Sequence, residues 1–134
     1  MIFYDTGAWY ALTVPGDRNA SAARGLQEDV ARGVHGSIVT TNFVLNEAAT
    51  LVRMETDTDT AVRLARGLLS RPTITLVRIG PDHFEGALAL FERHRDKRWS
   101  FTDCTSFAIM HELGITRAFS FDRNFEQAGF ERLP

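Results

Sequence analysis

The chain has 134 residues, 44% hydrophobic and 24% charged, enough for one domain with a sizeable buried core. No apolar run approaches the ~20 residues of a membrane-spanning helix. The opening Met1-Ile2-Phe3-Tyr4-Asp5 lacks the basic and apolar regions of a signal peptide, so one cytoplasmic domain over residues 1–134 is expected. A formal net charge of −2 speaks against gripping long nucleic acid by bulk electrostatics, and the lone Cys104 excludes an internal disulfide or a Cys-based metal site.

In chain order, residues 1–5 read as a short buried strand, Thr6-Gly7 as a turn, and residues 8–12 as the start of a helix that Pro15-Gly16-Asp17 breaks. Ala22, Ala23, Leu26 and Val30 share one face of a helix over residues 19–33. Residues 37–40 form a second strand, and Thr41 is placed to cap a helix running from about Phe43 to Met54. After a polar loop at 55–58, Asp59 is expected to cap a helix reaching Leu69. The β-branched run 73–77 is the clearest strand, and Pro81 suits the first turn of a helix continuing through Phe91. A charged linker over residues 93–99 leads to Ser100 or Thr102 as the cap of a helix from Asp103 to Leu113, which Gly114 ends. Residues 118–121 read as a strand followed at once by Asp122, and residues 129–133 as a last strand. Strands alternating with helices predict an α/β domain with a mainly parallel sheet and helices on both faces. In such sheets the functional site lies beyond the carboxyl ends of the strands.

Four acids draw attention in that frame. Asp5 and Asp122 each follow a strand directly, Asp103 falls in the first turn of a helix, and Glu47 sits in a mostly apolar helical segment. Were they to converge, four carboxylates could not all ionise without cations, and an all-oxygen donor set suits Mg²⁺ or Mn²⁺ rather than zinc. Such ions activate water for in-line attack on a phosphodiester. His35, His83, His94 and His111 are scattered, and no serine or cysteine has a convincing histidine partner. Each acid also has a structural explanation: Asp5 as a helix cap, Asp103 as a first-turn charge, Asp122 as the start of an Asx turn, and Glu47 as a partner of Arg53 or Arg63. Spacing alone leaves both readings open.

The segments 2–6, 41–47, 100–108 and 121–125, with the closing Ala128-Gly129-Phe130, carry a resemblance over essentially the whole chain. In that order they are similar to PIN-domain ribonucleases, and in particular to VapC-type toxins of bacterial toxin–antitoxin pairs. The resemblance implies a three-layer α/β/α sandwich and metal-dependent endonucleolytic cleavage of RNA with Mg²⁺ or Mn²⁺. It makes Asp5 and Asp103 the principal metal ligands, has Glu47 hold metal or water, and has Asp122 complete the site. Thr6 and Thr102 would orient carboxylates through their hydroxyls. Asn124 departs from the pattern, because a further acid is frequent there and an amide supplies an oxygen without charge. The implied partners are a VapB-type antitoxin, single-stranded loop RNA and a second copy of the toxin. Phe43, Val44, Leu45, Leu51, Trp9, Tyr10 and Trp99 are candidate contact residues, and Arg93, Arg95, Lys97 and Arg98 are candidate phosphate contacts. The rival readings are a PIN nuclease of RNA processing and a binding module that keeps the fold without catalysis.

Overall fold

Every residue from 1 to 134 is described by the structure, a computed structural model. Its elements run β1 (Ile2–Tyr4), α1 (Thr6–Thr13), α2 (Ala20–Ala31), β2 (Ile38–Thr41), α3 (Asn42–Glu55), α4 (Thr58–Ser70) and β3 (Ile74–Val77). They continue with α5 (Pro81–Arg93), α6 (Phe101–Leu113), β4 (Arg117–Phe119), α7 (Asn124–Gln127) and β5 (Glu131–Leu133). The five strands form one sheet in the order β3-β2-β1-β4-β5, and all four pairings are parallel. The sheet is therefore wholly parallel, not merely mainly so.

Parallel neighbours need crossover connections, and these are right-handed. The chain winds from β1 out to β3, then returns past its start to β4 and β5. The reversal puts α1–α4 on one face and α5–α7 on the other, giving three layers. Strand β1 shows both faces at once. Tyr4 packs its ring 4.7 Å from Trp9 of α1 and donates its hydroxyl to Gln27 of α2 at 2.8 Å, whereas Phe3 faces Phe125 of α7 at 6.3 Å. All three residues of β1 are fully buried, as a central parallel strand covered on both sides must be. The reversal point lies between β1 and β4, so the carboxyl ends of these two strands border the crevice where such sheets place their sites.

Local chemistry explains most boundaries. The Thr41 hydroxyl accepts the Val44 N–H at 3.1 Å and starts α3. Asp57, not Asp59, caps α4, accepting the Thr60 N–H at 2.7 Å, and Asp59 sits in the first turn as a favourable charge. Ser100, not Thr102, caps α6, which therefore opens at Phe101. Gly114 closes α6 in the left-handed conformation with φ 65°, a position that disfavours side chains. Strand β4 stops at Phe119, two residues earlier than the apolar run suggests, and the short helix α7 follows the Asp122 turn.

Candidate active site

Asp5 leaves β1 at the N-terminus of α1, yet its side chain makes no capping hydrogen bond. It turns toward β4 instead, where the Ser120 hydroxyl donates to Oδ2 at 2.9 Å. The residue is only 6% exposed. Burial pushes its pKa up to about 7; the Ser120 hydroxyl and the Thr6 backbone N–H pull it back, and the Asp103 and Glu47 carboxylates raise it further. A carboxylate buried this deeply, beside other acids and with no cation to pair with, is a costly arrangement for stability alone. That disposes of the reading of Asp5 as a simple helix cap.

Asp103 does two things. Its backbone N–H donates to the Ser100 hydroxyl at 2.9 Å while its Oδ2 accepts the Ser100 N–H at 3.0 Å, a reciprocal capping box at the start of α6. The same Oδ2 accepts Asn124 Nδ2 at 3.0 Å, which leaves Oδ1 without a hydrogen-bond partner. Burial raises its carboxyl pKa, hydrogen bonds from Ser100 and Asn124 lower it, and Asp122 and Glu47 raise it again. The capping box thus occupies Oδ2 and leaves Oδ1 open to the cleft, so the structural reading does not exclude the functional one.

Asp122 is exposed and does form the Asx turn, accepting the Asn124 N–H at 2.9 Å on Oδ1. Its Oδ2 takes a second, longer contact of 3.3 Å from Asn124 Nδ2. Asn124 thus presents its amide nitrogen to two carboxylates, where the sequence suggested an oxygen donor. Glu47, half-buried on α3, pairs with neither Arg53 nor Arg63; its influence on Asp5 and Asp103 is repulsive. All four acids line one cleft of about 700 Å³, together with Thr6, Tyr10, Leu51, Met54 and Arg123. As the side chains stand, no group of three or more His, Cys, Asp or Glu residues is arranged to enclose an ion.

The two threonines part company. The Thr6 hydroxyl is buried beside Asp5 with no hydrogen-bond partner, whereas the Thr102 hydroxyl bonds none of the four acids. The residue that sequence reasoning missed is Ser120, which accepts the Asp122 N–H at 3.0 Å while donating to Asp5 and so links the ends of β1 and β4. Its signal was a lone hydroxyl in the apolar run Ala118-Phe119-Ser120-Phe121.

The rest of the chain offers no rival chemistry. His83 pairs with Glu112 at 3.0 Å, His94 and His111 stack on Trp99 and Phe130, and His35 contacts Arg117. Burial raises the Cys104 thiol to about 11, so it behaves as a core residue. Trp9, Val44 and Trp99, considered for partner surfaces, are core residues as well.

Comparison with known proteins agrees with this geometry. The PIN domain model matches residues 2–131. Among curated proteins, the 23S rRNA-specific endonuclease VapC20 of Mycobacterium tuberculosis, in strains CDC 1551 / Oshkosh and H37Rv, is 36% identical over 130 residues, 97% of this chain and 95% of the relative. The crystal structure of Mycobacterium tuberculosis VapC20, described as a sarcin-ricin loop cleaving toxin, superposes with a TM-score of 0.87 at 32% identity, covering 97% of this chain and 96% of that one. A match spanning nearly the whole chain, on a fold that gathers the strand-end acids at its reversal point, places this protein in the PIN domain family.

Proposed function

We propose that this chain is a VapC-type endoribonuclease toxin that hydrolyses a phosphodiester bond in the sarcin-ricin loop of 23S rRNA, acting in the cytoplasm and held in check by a VapB-type antitoxin. The observation that carries the reading is Asp5, a residue 6% exposed, whose carboxylate is unused as a helix cap and faces a cleft with three further acids. No helix is long and apolar enough to cross a membrane.

The donor chemistry fits Mg²⁺ or Mn²⁺. Every donor is a hard oxygen, Asp103 keeps Oδ1 free, and the buried Thr6 hydroxyl lacks a partner. Asp5 and Asp103 would hold the ion, with Glu47 and Asp122 supporting it or its water. When bound, such an ion supplies the positive charge that lets the carboxylates ionise together and favours hydroxide over water. Ser120 favours the Asp5 anion, partly offsetting its burial, and fixes the carboxylate in one orientation. Asn124 does the same for Asp103. Ser120→Ala removes the largest interaction favouring the Asp5 anion, so the acid limb of the cleavage pH–rate profile is expected to move to higher pH. An unmoved limb would separate Ser120 from the titration of Asp5.

The direct test is primer-extension mapping of 23S rRNA in ribosomes treated with wild-type or Asp5→Asn protein, in Mg²⁺ and in EDTA. One cut within the sarcin-ricin loop, made only by wild type and only with metal, is expected. Cleavage by both proteins, or cleavage in EDTA, sinks the mechanism.

The same reading includes a homodimer. Phe84, Leu88 and Phe91 recur along one face of α5 and are 45%, 43% and 47% exposed, an apolar stripe next to the Phe101 ring. A two-fold pairing of this stripe with itself would bury it. Light scattering at micromolar concentration is expected to give a dimer mass for wild type and a monomer mass for Phe84→Glu. A monomeric wild type removes the proposal.

A further inference from the structure

Arg123 is the one cation among the residues lining the acidic cleft, against the carboxylates of Asp5, Glu47, Glu55, Asp103 and Asp122. It is exposed, and its guanidinium takes part in no ion pair. Nearby arginines behave differently. Arg132 Nε reaches Glu126 at 3.1 Å, and Arg117 Nε reaches Glu131 at 3.4 Å. Glu126 lies three residues after Arg123, a spacing at which helical ion pairs form, yet it is committed to Arg132. Arg123 is thus left free among acids, on a backbone fixed from both sides. The Asx turn of Asp122 precedes it, and the fully buried Phe125 follows it.

A phosphodiester entering this cleft meets carboxylates on most sides, and any cations the acids hold are largely neutralised by them. A guanidinium at the mouth supplies charge that those acids do not consume, in the planar fork that fits two phosphate oxygens. We infer that Arg123 grips the non-bridging oxygens of the scissile phosphate and stabilises the charge that builds on them during cleavage, an inference that rests on the nuclease reading of the cleft. In that step the oxygen of water forms a bond to phosphorus and one P–O bond to a ribose oxygen breaks. One water proton ends on the departing ribose oxygen, and the remaining hydroxyl stays on phosphorus. Arg123 gives and takes no proton. Its contribution is charge that binds the transition state more tightly than the substrate, so its loss acts on kcat more than on KM.

The test uses a synthetic RNA hairpin of the sarcin-ricin loop sequence as probe. For Arg123→Gln, kcat in Mn²⁺ is expected to fall by about 100-fold while KM rises only a few-fold. Arg123→Lys restores the charge without the fork and is expected to recover only part of the loss. Mn²⁺ affinity, measured by calorimetry, stays the same or tightens, because removing a neighbouring positive charge does not weaken cation binding. Equilibrium binding of the hairpin is then compared between Asp5→Asn and Asp5→Asn/Arg123→Gln proteins across salt concentrations. Loss of one phosphate contact on single-stranded RNA reduces the log–log slope by about 0.7. Wild-type kcat with an unchanged slope overturns the inference, as does a loss of activity matched by a loss of Mn²⁺ affinity. A rise in KM alone moves the contact to a neighbouring phosphate and overturns the scissile assignment. Should wild type leave the hairpin intact, the nuclease reading of this substrate fails, while the salt slope still decides whether Arg123 meets phosphate.

Discussion

Replacing Asp5 by asparagine is expected to abolish RNA cleavage and, in the same protein, to raise the stability of the metal-free fold above pH 7. In the proposed metal site Asp5 is the anionic ligand at the end of β1, so its removal is expected to lower the rate by ~10³-fold or more. The gain in stability follows from proton linkage. In the unfolded chain an aspartate titrates near 3.8, whereas burial holds Asp5 at about 7 in the folded protein. The folded state therefore binds the extra proton between those two values. Stability from this group is fully present below pH 3.8 and is lost as the pH rises through about 7. At 1.36 kcal/mol per pH unit the ionised site costs the metal-free fold roughly 4 kcal/mol at alkaline pH.

Asparagine keeps the shape and an acceptor for the Ser120 hydroxyl but never ionises. Thermal melts in EDTA should thus show wild type and variant close together at pH 4 and already separating at pH 5, where roughly a third of the penalty has accumulated. At pH 8.5 the variant should lead by an amount of the order of 10 °C. Added Mn²⁺ should raise the melting temperature of wild type at pH 8.5 and leave the variant nearly unmoved, because ligand binding stabilises only the state that binds it. Equal melting temperatures at pH 8.5 in EDTA would mean that Asp5 is not buried as an uncompensated charge.

That double behaviour explains what could be read from the sequence and what could not. Asp5 and Asp122 were legible because an acid directly after a buried apolar run is conspicuous and falls where α/β folds place their sites, although β4 itself ends at Phe119. Whether Asp5 caps α1 or faces inward was not legible, since both roles occupy the same position before a helix; the Ser120 contact decides it, from 115 residues away in sequence. Asp103 was ambiguous for the opposite reason, because one carboxyl both closes the capping box and lines the acidic cleft. The Asp57-Thr58-Asp59-Thr60 run offers two caps in succession, and only the register of the first turn selects Asp57. Strand order leaves no periodic signal, so the order β3-β2-β1-β4-β5 was not legible and is seen only in the fold. The direction of the Asn124 amide depends on Asp103 oxygens that a sequence does not place. Helix α7 spans four residues, too few to show a helical period or to be stable by itself.

Because α7 cannot hold itself, its packing should matter to both stability and catalysis, and Phe125→Ala is expected to damage both. Phe125 is fully buried, with its ring 5.0 Å from Phe107 of α6 and 6.3 Å from Phe3 of β1. Phe107 in turn packs on Trp99 and Phe130, so one aromatic cluster joins α6, α7, the loop before α6 and the entry to β5. Truncating a buried phenylalanine to alanine costs about 3–5 kcal/mol, a large share of what a domain of this size has in reserve. The functional damage comes from position. Residues 122–124 supply Asp122, Arg123 and the Asn124 amide that holds Asp103 at 3.0 Å, and Phe125 is the anchor directly behind them. Without it, the few backbone bonds of α7 must keep those three side chains in place against the repulsion between Asp103 and Asp122. At a temperature where denaturant melts show the variant still more than 95% folded, a remaining tenfold or larger loss of kcat is expected. Phe125→Leu, which refills most of the cavity, should recover most of the stability and most of the rate together. If Phe125→Ala lost stability but kept wild-type kcat in the folded fraction, α7 would be a passive cover, and the placement of Asp103 would rest on the Ser100 capping box alone.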